Sequence, residues 1–196
     1  MILDKNQIYI IDNFVNKEQQ EKILKEFYKK NLNLAYYETI YKDCNLSIDS
    51  SVYTKMLPEK QFVADLYDKK TSFLEQLELK LKFKIDKVIR SKINWVFRHS
   101  INNKNGFNAP HTDVPIDHWV LLYYVNESDG DTLMFKETHK DIPFFEVSDQ
   151  TLHIMSNIEH KMGRGVLFHG SRYHCALPPI ESDFRITFNH NFTIKE

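Results

Sequence analysis

Residues 110–126 read PHTDVPIDHWVLLYYVN, and the second half of this stretch decides the fold. From 119 to 125 every residue is apolar or aromatic, so a strand built from it has no wet face and has to be covered on both sides. Such a strand belongs at the centre of a layered protein. Around it lie further short β-rich runs: SKINWVFRHSI (91–101), DTLMF (131–135), GVLFHG (165–170) and RITFNHNFTI (185–194). Asn, Asp, Gly and Pro separate them, the pattern of an antiparallel sandwich or barrel.

Upstream the period changes. QIYIIDNF (7–14) alternates well enough for a strand, and KEQQEKILKEFYKK (17–30) sets Ile23, Leu24, Phe27 and Tyr28 at helical spacing behind Asn16, a good N-cap residue. A second helical stretch is expected from about Pro58 to Phe83, where Phe62, Leu66, Phe73, Leu74, Leu77 and Leu81 recur every three or four residues. Both stripes read as packing faces. The expectation is one domain over 1–196, with a strand and supporting helices in 1–88 and a β core in 89–196. The fold class is α+β, mainly β, with helices packed beside a jelly roll.

Composition narrows the function classes. The 26 basic and 27 acidic residues leave a formal charge of -1, so nothing drives the chain generally toward nucleic acid or an anionic membrane surface. No apolar run approaches the length of a membrane span, and MILDKNQIYIIDNF lacks the basic and long apolar segments of a signal peptide, so a soluble, cytoplasmic protein is expected. Cys44 and Cys175 stand far apart and form no CxxC pair, which suggests neither a disulfide framework nor a cysteine zinc site.

His111-Thr112-Asp113 places an imidazole and a carboxylate two positions apart, on one face of an extended backbone, where both can chelate one ion. With a remote histidine they make two imidazoles and a carboxylate on one side of a metal, the facial set characteristic of non-haem Fe(II) oxygenases. The motif is weak alone, and His139-Lys140-Asp141 is a second match in a polar loop. The first pair is preferred because it directly precedes the most apolar strand, a rigid support; the second reads as a solvated loop pair. For the remote ligand His153, His160, His169, His174 and His190 are candidates, and spacing does not choose among them. Context favours His174, which follows a buried-looking strand and a glycine turn and precedes a double proline that fixes the chain's exit; His169 is the near competitor.

The ordered blocks IIDNFV, PHTD, LLYYVNESDGDTLMF, KMGRGVLFHGSRYHCALPP and FRITFNHNF resemble the Fe(II)- and 2-oxoglutarate-dependent dioxygenases of the prolyl hydroxylase-like superfamily, particularly small microbial and viral members. The resemblance implies a double-stranded β-helix of cupin-like type, Fe(II) held by His111, Asp113 and His174, and O2 and 2-oxoglutarate as cosubstrates. It assigns Arg185 to the far carboxylate of 2-oxoglutarate, which suits a guanidinium's paired hydrogen bonds. Tyr124 matches a position whose phenol reaches the same carboxylate, and Thr187 shares Arg185's face of the strand, as do Asn189 and Asn191. Otherwise that face would be a solvated exterior, the usual place for a strand arginine. The pattern is broken at His169, where many relatives carry an acidic or amide residue. A contact to the distal ligand or a merely hydrogen-bonded turn histidine are both open there. Cys175 points away from His174 and reads as packing.

An intact Asp113 favours hydroxylation, because related halogenating enzymes have a small residue there. A peptidyl proline is the nearest family analogy for the substrate; another protein side chain, a free amino acid or a small metabolite fit equally, and no nucleic-acid or membrane partner is expected. Segments 102–109 and 136–161 are candidate rims, the second with a Pro143-Phe144-Phe145 patch. Two rivals stand. One is a zinc hydrolase on the same three ligands, which has no need of a dicarboxylate clamp at Arg185. The other is a jelly-roll binding module without chemistry. The oligomeric state is not legible.

Overall fold

A computed structural model describes residues 3–29, 35–37, 52–56, 73–98, 107, 108, 110–143 and 151–195. In chain order its elements are β1 (Tyr9–Ile11), α1 (Lys17–Lys29), β2 (Ala35–Tyr37), β3 (Val52–Met56), α2 (Phe73–Leu81), β4 (Ile85–Phe97) and β5 (Trp119–Tyr124). Then follow β6 (Thr132–Thr138), β7 (Ile154–Ile158), β8 (Gly165–His169), β9 (Arg172–Ala176) and β10 (Phe184–Ile194). The strands form two antiparallel sheets, a larger one in the order β1-β8-β5-β10-β4-β3-β2 and a smaller one in the order β7-β6-β9.

The all-apolar run becomes β5, hydrogen-bonded between β8 and β10 in the larger sheet. Alternation sends Val120, Leu122 and Tyr124 inward, where with Val166 and Phe168 they meet Met134 and Ile158 of the smaller sheet. It sends Trp119, Leu121 and Tyr123 outward against Phe14, Ile23 of α1 and Leu77 of α2. Both faces are therefore dry, as the run requires, and each fully buried aliphatic side chain contributes about 1.5–3 kcal/mol. A further apolar cluster of Leu133, Phe135, Tyr173 and Cys175, with Phe107 packed on it, covers the outer face of the smaller sheet.

Local sequence explains the helix ends. Asn16 Oδ1 accepts the Gln19 N–H at 2.9 Å while Gln19 Oε1 accepts the Asn16 N–H at 3.2 Å, a reciprocal capping box that starts α1. Helix α2 stops at Lys82, which turns left-handed at φ 54°. Glu78 Oε1 then accepts the Ile85 N–H at 2.6 Å and ties the helix to β4. None of the helices among the described residues is long and apolar enough to cross a membrane.

Three differences from the sequence expectation stand out. Strands β2 and β3 lie in the region expected to hold only β1 and helices, because the long strand β4 offers β3 a free edge, Thr54 opposite Asn94. The break at 88/89 also falls inside β4, which begins at Ile85. Strand β7 is a further addition: IMSNI is mostly exposed and has no period to betray it. The expected helix upstream of Phe73, with Phe62 and Leu66, and Cys44 lie outside the described residues.

Candidate functional site

Strand β9 carries His174 on the face turned toward the larger sheet. The backbone of His111 pairs with it as an antiparallel bridge, His111 N–H donating to the His174 carbonyl at 2.9 Å and His174 N–H to the His111 carbonyl at 3.0 Å. A directly opposed pair brings its side chains together, and the two imidazole centroids are 4.7 Å apart. Asp113 follows two residues later, and one potential ligand atom from each of the three lies within 4.8 Å of the others. His174 Nδ1 faces the Arg172 carbonyl at 3.2 Å; with the proton on that nitrogen, Nε2 keeps its lone pair, 3.8 Å from Asp113 Oδ2. Burial lowers the His174 pKa against the opposing pull of Asp113, which favours the neutral ring, the form that ligates metals.

The carboxylate of Asp113 is fully buried and surrounded. Arg90 Nη2 donates to Oδ1 at 2.7 Å, and Lys92 Nζ stands 3.4 Å from the same oxygen. Oδ2 accepts the side-chain amides of Asn189 and Asn191, each at 3.0 Å. Arg90 Nε also donates to Asn191 Oδ1 at 2.8 Å, closing the network. Burial by itself would raise the Asp113 pKa, but Lys92, His174, His111 and Arg90 outweigh it and hold the carboxyl well below its usual range. Burial pushes Lys92 down, Asp113 opposing. The inter-strand register produces this arrangement: Asn191 lies opposite Arg90 and Asn189 opposite Lys92, so alternate residues of β10 and β4 share the inner face.

Arg185 and Thr187 occupy that inner face too, Thr187 opposite Tyr124 and Asn94. Arg185 is 3% exposed, which excludes the solvated-exterior reading. Its Nη1 donates to the Asp131 carbonyl and its Nη2 to Thr132 Oγ1 at 3.1 Å, while its buried Nε reaches no acceptor among the described residues. The Tyr124 phenol does not point to open space; it donates to Thr132 Oγ1 at 2.9 Å and its ring lies 5.7 Å from the guanidinium carbon. His160 stacks on Tyr124 at 4.3 Å, and burial, with Arg185 adding, keeps it neutral although the Asn126 carbonyl favours its proton. Gly130 makes room for this end: a Cβ there would come within 3.0 Å of Arg185 Cδ and 2.9 Å of the Leu177 carbonyl. A buried guanidinium with a spare donor, beside a phenol and a threonine hydroxyl, fits the far end of a dicarboxylate.

The other sequence candidates separate from the site. His139 and Asp141 form a turn at the end of β6, with Asp141 Oδ2 accepting both the backbone N–H and the hydroxyl of Thr138 at 2.8 Å. His169 is a buried, hydrogen-bonded turn histidine: Nδ1 meets Ser171 Oγ at 2.8 Å, Nε2 lies 3.0 Å from an Asp117 oxygen, and the ring stands edge-on to Trp119. His153 pairs with Glu137 at 2.7 Å on the surface, and His190 with Ser91 at 2.8 Å on the opposite face of β10. Cys175 packs in the outer cluster, its thiol pushed up by burial. Phe107 packs 5.7 Å from Phe135, and within the second expected rim 136–138 and 154–158 are strand; Phe144 and Phe145 lie outside the described residues.

Sequence reasoning misses Arg90 and Lys92 and gives Asn189 and Asn191 no role. The available signal is the alternation in IRSKINWVF, where Arg90, Lys92 and Asn94 share a face. It also misses His118, whose Nδ1 meets the Ile116 carbonyl at 2.6 Å and whose ring lies so close to Gly170 that a Cβ there would fall 2.0 Å from Nε2.

No family model and no curated protein matches the chain. Solved structures do. A prolyl-4-hydroxylase from Pseudomonas putida matches with a TM-score of 0.58 at 14% identity over 97% of this chain and 94% of its own. A prolyl hydroxylase from Trichoplax adhaerens, seen with a hypoxia inducible factor peptide fragment, matches at 0.63 with 12% identity, over 96% and 84%. The viral collagen prolyl hydroxylase of Paramecium Bursaria Chlorella virus-1, seen with 2-oxoglutarate, matches at 0.51 with 17% identity, over 94% of each. The chain has the fold of these prolyl hydroxylases.

Proposed function

We propose that the chain is an Fe(II)- and 2-oxoglutarate-dependent oxygenase, a hydroxylase built on a double-stranded β-helix. The observation that carries this reading is the convergence of His111, Asp113 and His174, combined with a buried Arg185 on the same inner face that keeps a donor unused. His111 and His174 would hold the metal through imidazole nitrogens and Asp113 through a carboxylate oxygen, a facial set that leaves exchangeable positions opposite. Arg185, with Tyr124 and Thr187 around it, would grip the far carboxylate of 2-oxoglutarate. When bound, Fe(II) with 2-oxoglutarate and O2 supplies the oxidising power to hydroxylate a C–H bond, with release of succinate and CO2.

The protein's own residues prepare this chemistry. The Arg172 carbonyl orients the His174 ring, and Asn189, Asn191, Arg90 and Lys92 fix the Asp113 carboxylate before anything binds, so little reorganisation is left for binding. The apolar inner residues Val120, Leu122, Met134 and Phe168 keep water from the floor of the site. A zinc hydrolase would have no use for Arg185. In a module without chemistry, the Arg90 and Lys92 pairing would account for Asp113 but not for two imidazoles turned toward it.

The substrate class nearest to hand is a peptidyl proline, by analogy with the structural neighbours; another side chain or a small molecule suits the same machinery. Anaerobic titration of the protein with Fe(II) and 2-oxoglutarate should produce the weak visible charge-transfer band of the chelate, and admission of air should release succinate. Folded protein that gives neither result overturns the reading.

A further inference from the structure

Two cationic side chains on the inner face of β4 steady a metal ligand and have hydrogen-bonding capacity beyond that role. Arg90 and Lys92 occupy inward positions two apart on β4 and converge on Oδ1 of Asp113, at 2.7 and 3.4 Å. Among the described residues no second carboxylate pairs with either. A divalent metal and a dianionic cosubstrate would cancel each other, and Asp113 offsets only one of the two cations. Within the group of Arg90, Lys92 and Asp113 one positive charge is left over, in a place where desolvation makes an unpaired charge costly.

The geometry also leaves donors to spare. Arg90 spends Nε on Asn191 and Nη2 on Asp113, while its Nη1 makes no hydrogen bond among the described residues. The Lys92 ammonium carries three N–H donors and has one polar contact among the described residues. The Asp113 side chain is sealed from solvent at 0% exposure, whereas those of Arg90 and Lys92 keep 21% and 17%, so the cations retain an exposed part that the carboxylate lacks. If they served only to steady Asp113, the two amides on Oδ2 and one cation on Oδ1 would suffice.

We propose that Arg90 and Lys92 form an anion subsite beside the metal and that the substrate presents a carboxylate to it. The inference rests on the oxygenase reading and deepens it by naming a substrate class: the oxidised molecule is an acid, such as a free amino acid or a peptide with a carboxylate near the oxidised carbon. Lys92, with the longer contact to Asp113, is the principal partner, and Arg90 divides its donors between Asp113 and the incoming group.

The test uses the full chain loaded with Mn(II) and saturated with 2-oxoglutarate, with N-acetylglycine and its uncharged isostere N-acetylglycinamide as probes. Paramagnetic relaxation of the acetyl methyl protons reports how closely each probe approaches the metal. N-acetylglycine should be relaxed about tenfold more strongly than the amide, the worth of a charge-assisted contact. At saturating Mn(II) and 2-oxoglutarate, Lys92→Met should erase the difference, and Lys92→Arg should retain it. Should Lys92→Met fail to fold, Lys92→Gln carries the same expectation. Equal relaxation by the two probes, including none by either, overturns the proposal, as does a difference that survives Lys92→Met, since the carboxylate would then be meeting the metal alone. A protein that shows no Fe(II)–2-oxoglutarate band fails earlier, at the oxygenase reading, and takes the subsite with it; a normal band with equal probe relaxation removes the subsite only.

Discussion

The chain contains the pattern His-x-Asp twice, and the two copies end up in opposite circumstances. His111 is bridged by two backbone hydrogen bonds to His174, and Asp113 is sealed beneath two cations and two amides. His139 and Asp141 sit in a turn, where the carboxylate bends back to accept from Thr138 and faces solvent. The difference teaches that spacing creates a chelate only where the backbone is held extended beside a partner strand. In a turn the same residues close a hydrogen-bonded ring of their own.

The contrast can be broken most sharply at the metal. His174→Ala should weaken Mn(II) or Fe(II) binding by more than about a hundredfold, beyond the 10–100-fold typical of changes around a ligand, whereas His139→Ala should leave it within about twofold. Isothermal titration measures both, and the reverse outcome would exchange the roles of the two pairs. Next in size, Arg185→Ala should weaken 2-oxoglutarate binding by roughly tenfold to a hundredfold through loss of a paired charge-assisted contact, with metal affinity largely retained. Unchanged cosubstrate affinity would remove Arg185 from the site.

Stability separates the pairs as well. Without metal, Asp113→Ala should cost about 3 kcal/mol in urea unfolding, the low end for breaking a buried ion pair because Arg90 and Lys92 keep some contact with water. A loss comparable to that of a surface change would mean that the network does not hold the fold. Behind the network, on the opposite face of β10, burial holds His190 down to about 4. The unfolded chain, with an ordinary histidine value near 6.5, takes the proton first, so this stability is complete above pH 6.5 and is lost as pH falls toward 4. The loss is roughly 3 kcal/mol, and His190→Leu should flatten that limb of the stability profile. Asp141→Ala, which removes only exposed bonds to Thr138, should cost less than about 1 kcal/mol.

Several features are legible in the amino-acid order alone. The apolar run at 119–125 implies a strand covered on both faces, and Asn16 announces the start of α1. Arg185, Thr187, Asn189 and Asn191 group on one face of β10 by alternation, which leaves their direction relative to the core unread. Strand β7 escapes detection because IMSNI is mostly exposed and carries no period, and β2 and β3 are short pieces that gain their order from the edge of β4. The Tyr124 phenol donates to Thr132, eight residues on and across a turn, a contact that the pattern along one strand does not reveal.

By itself the sequence determined the donor types, the central strand and the one-face grouping of β10, because these follow from side-chain chemistry and from a period of two along one segment. Context and resemblance favour His174 among five candidates, but only the tertiary structure sets its ring beside that of His111 and closes Arg90, Lys92, Asn189 and Asn191 over Asp113. Those contacts depend on the register between strands: β10 meets β4 with Asn191 opposite Arg90, a pairing of residues far apart in the chain. Register is set by the packing of whole sheets, and a one-residue slip would turn every one of these side chains to the other face.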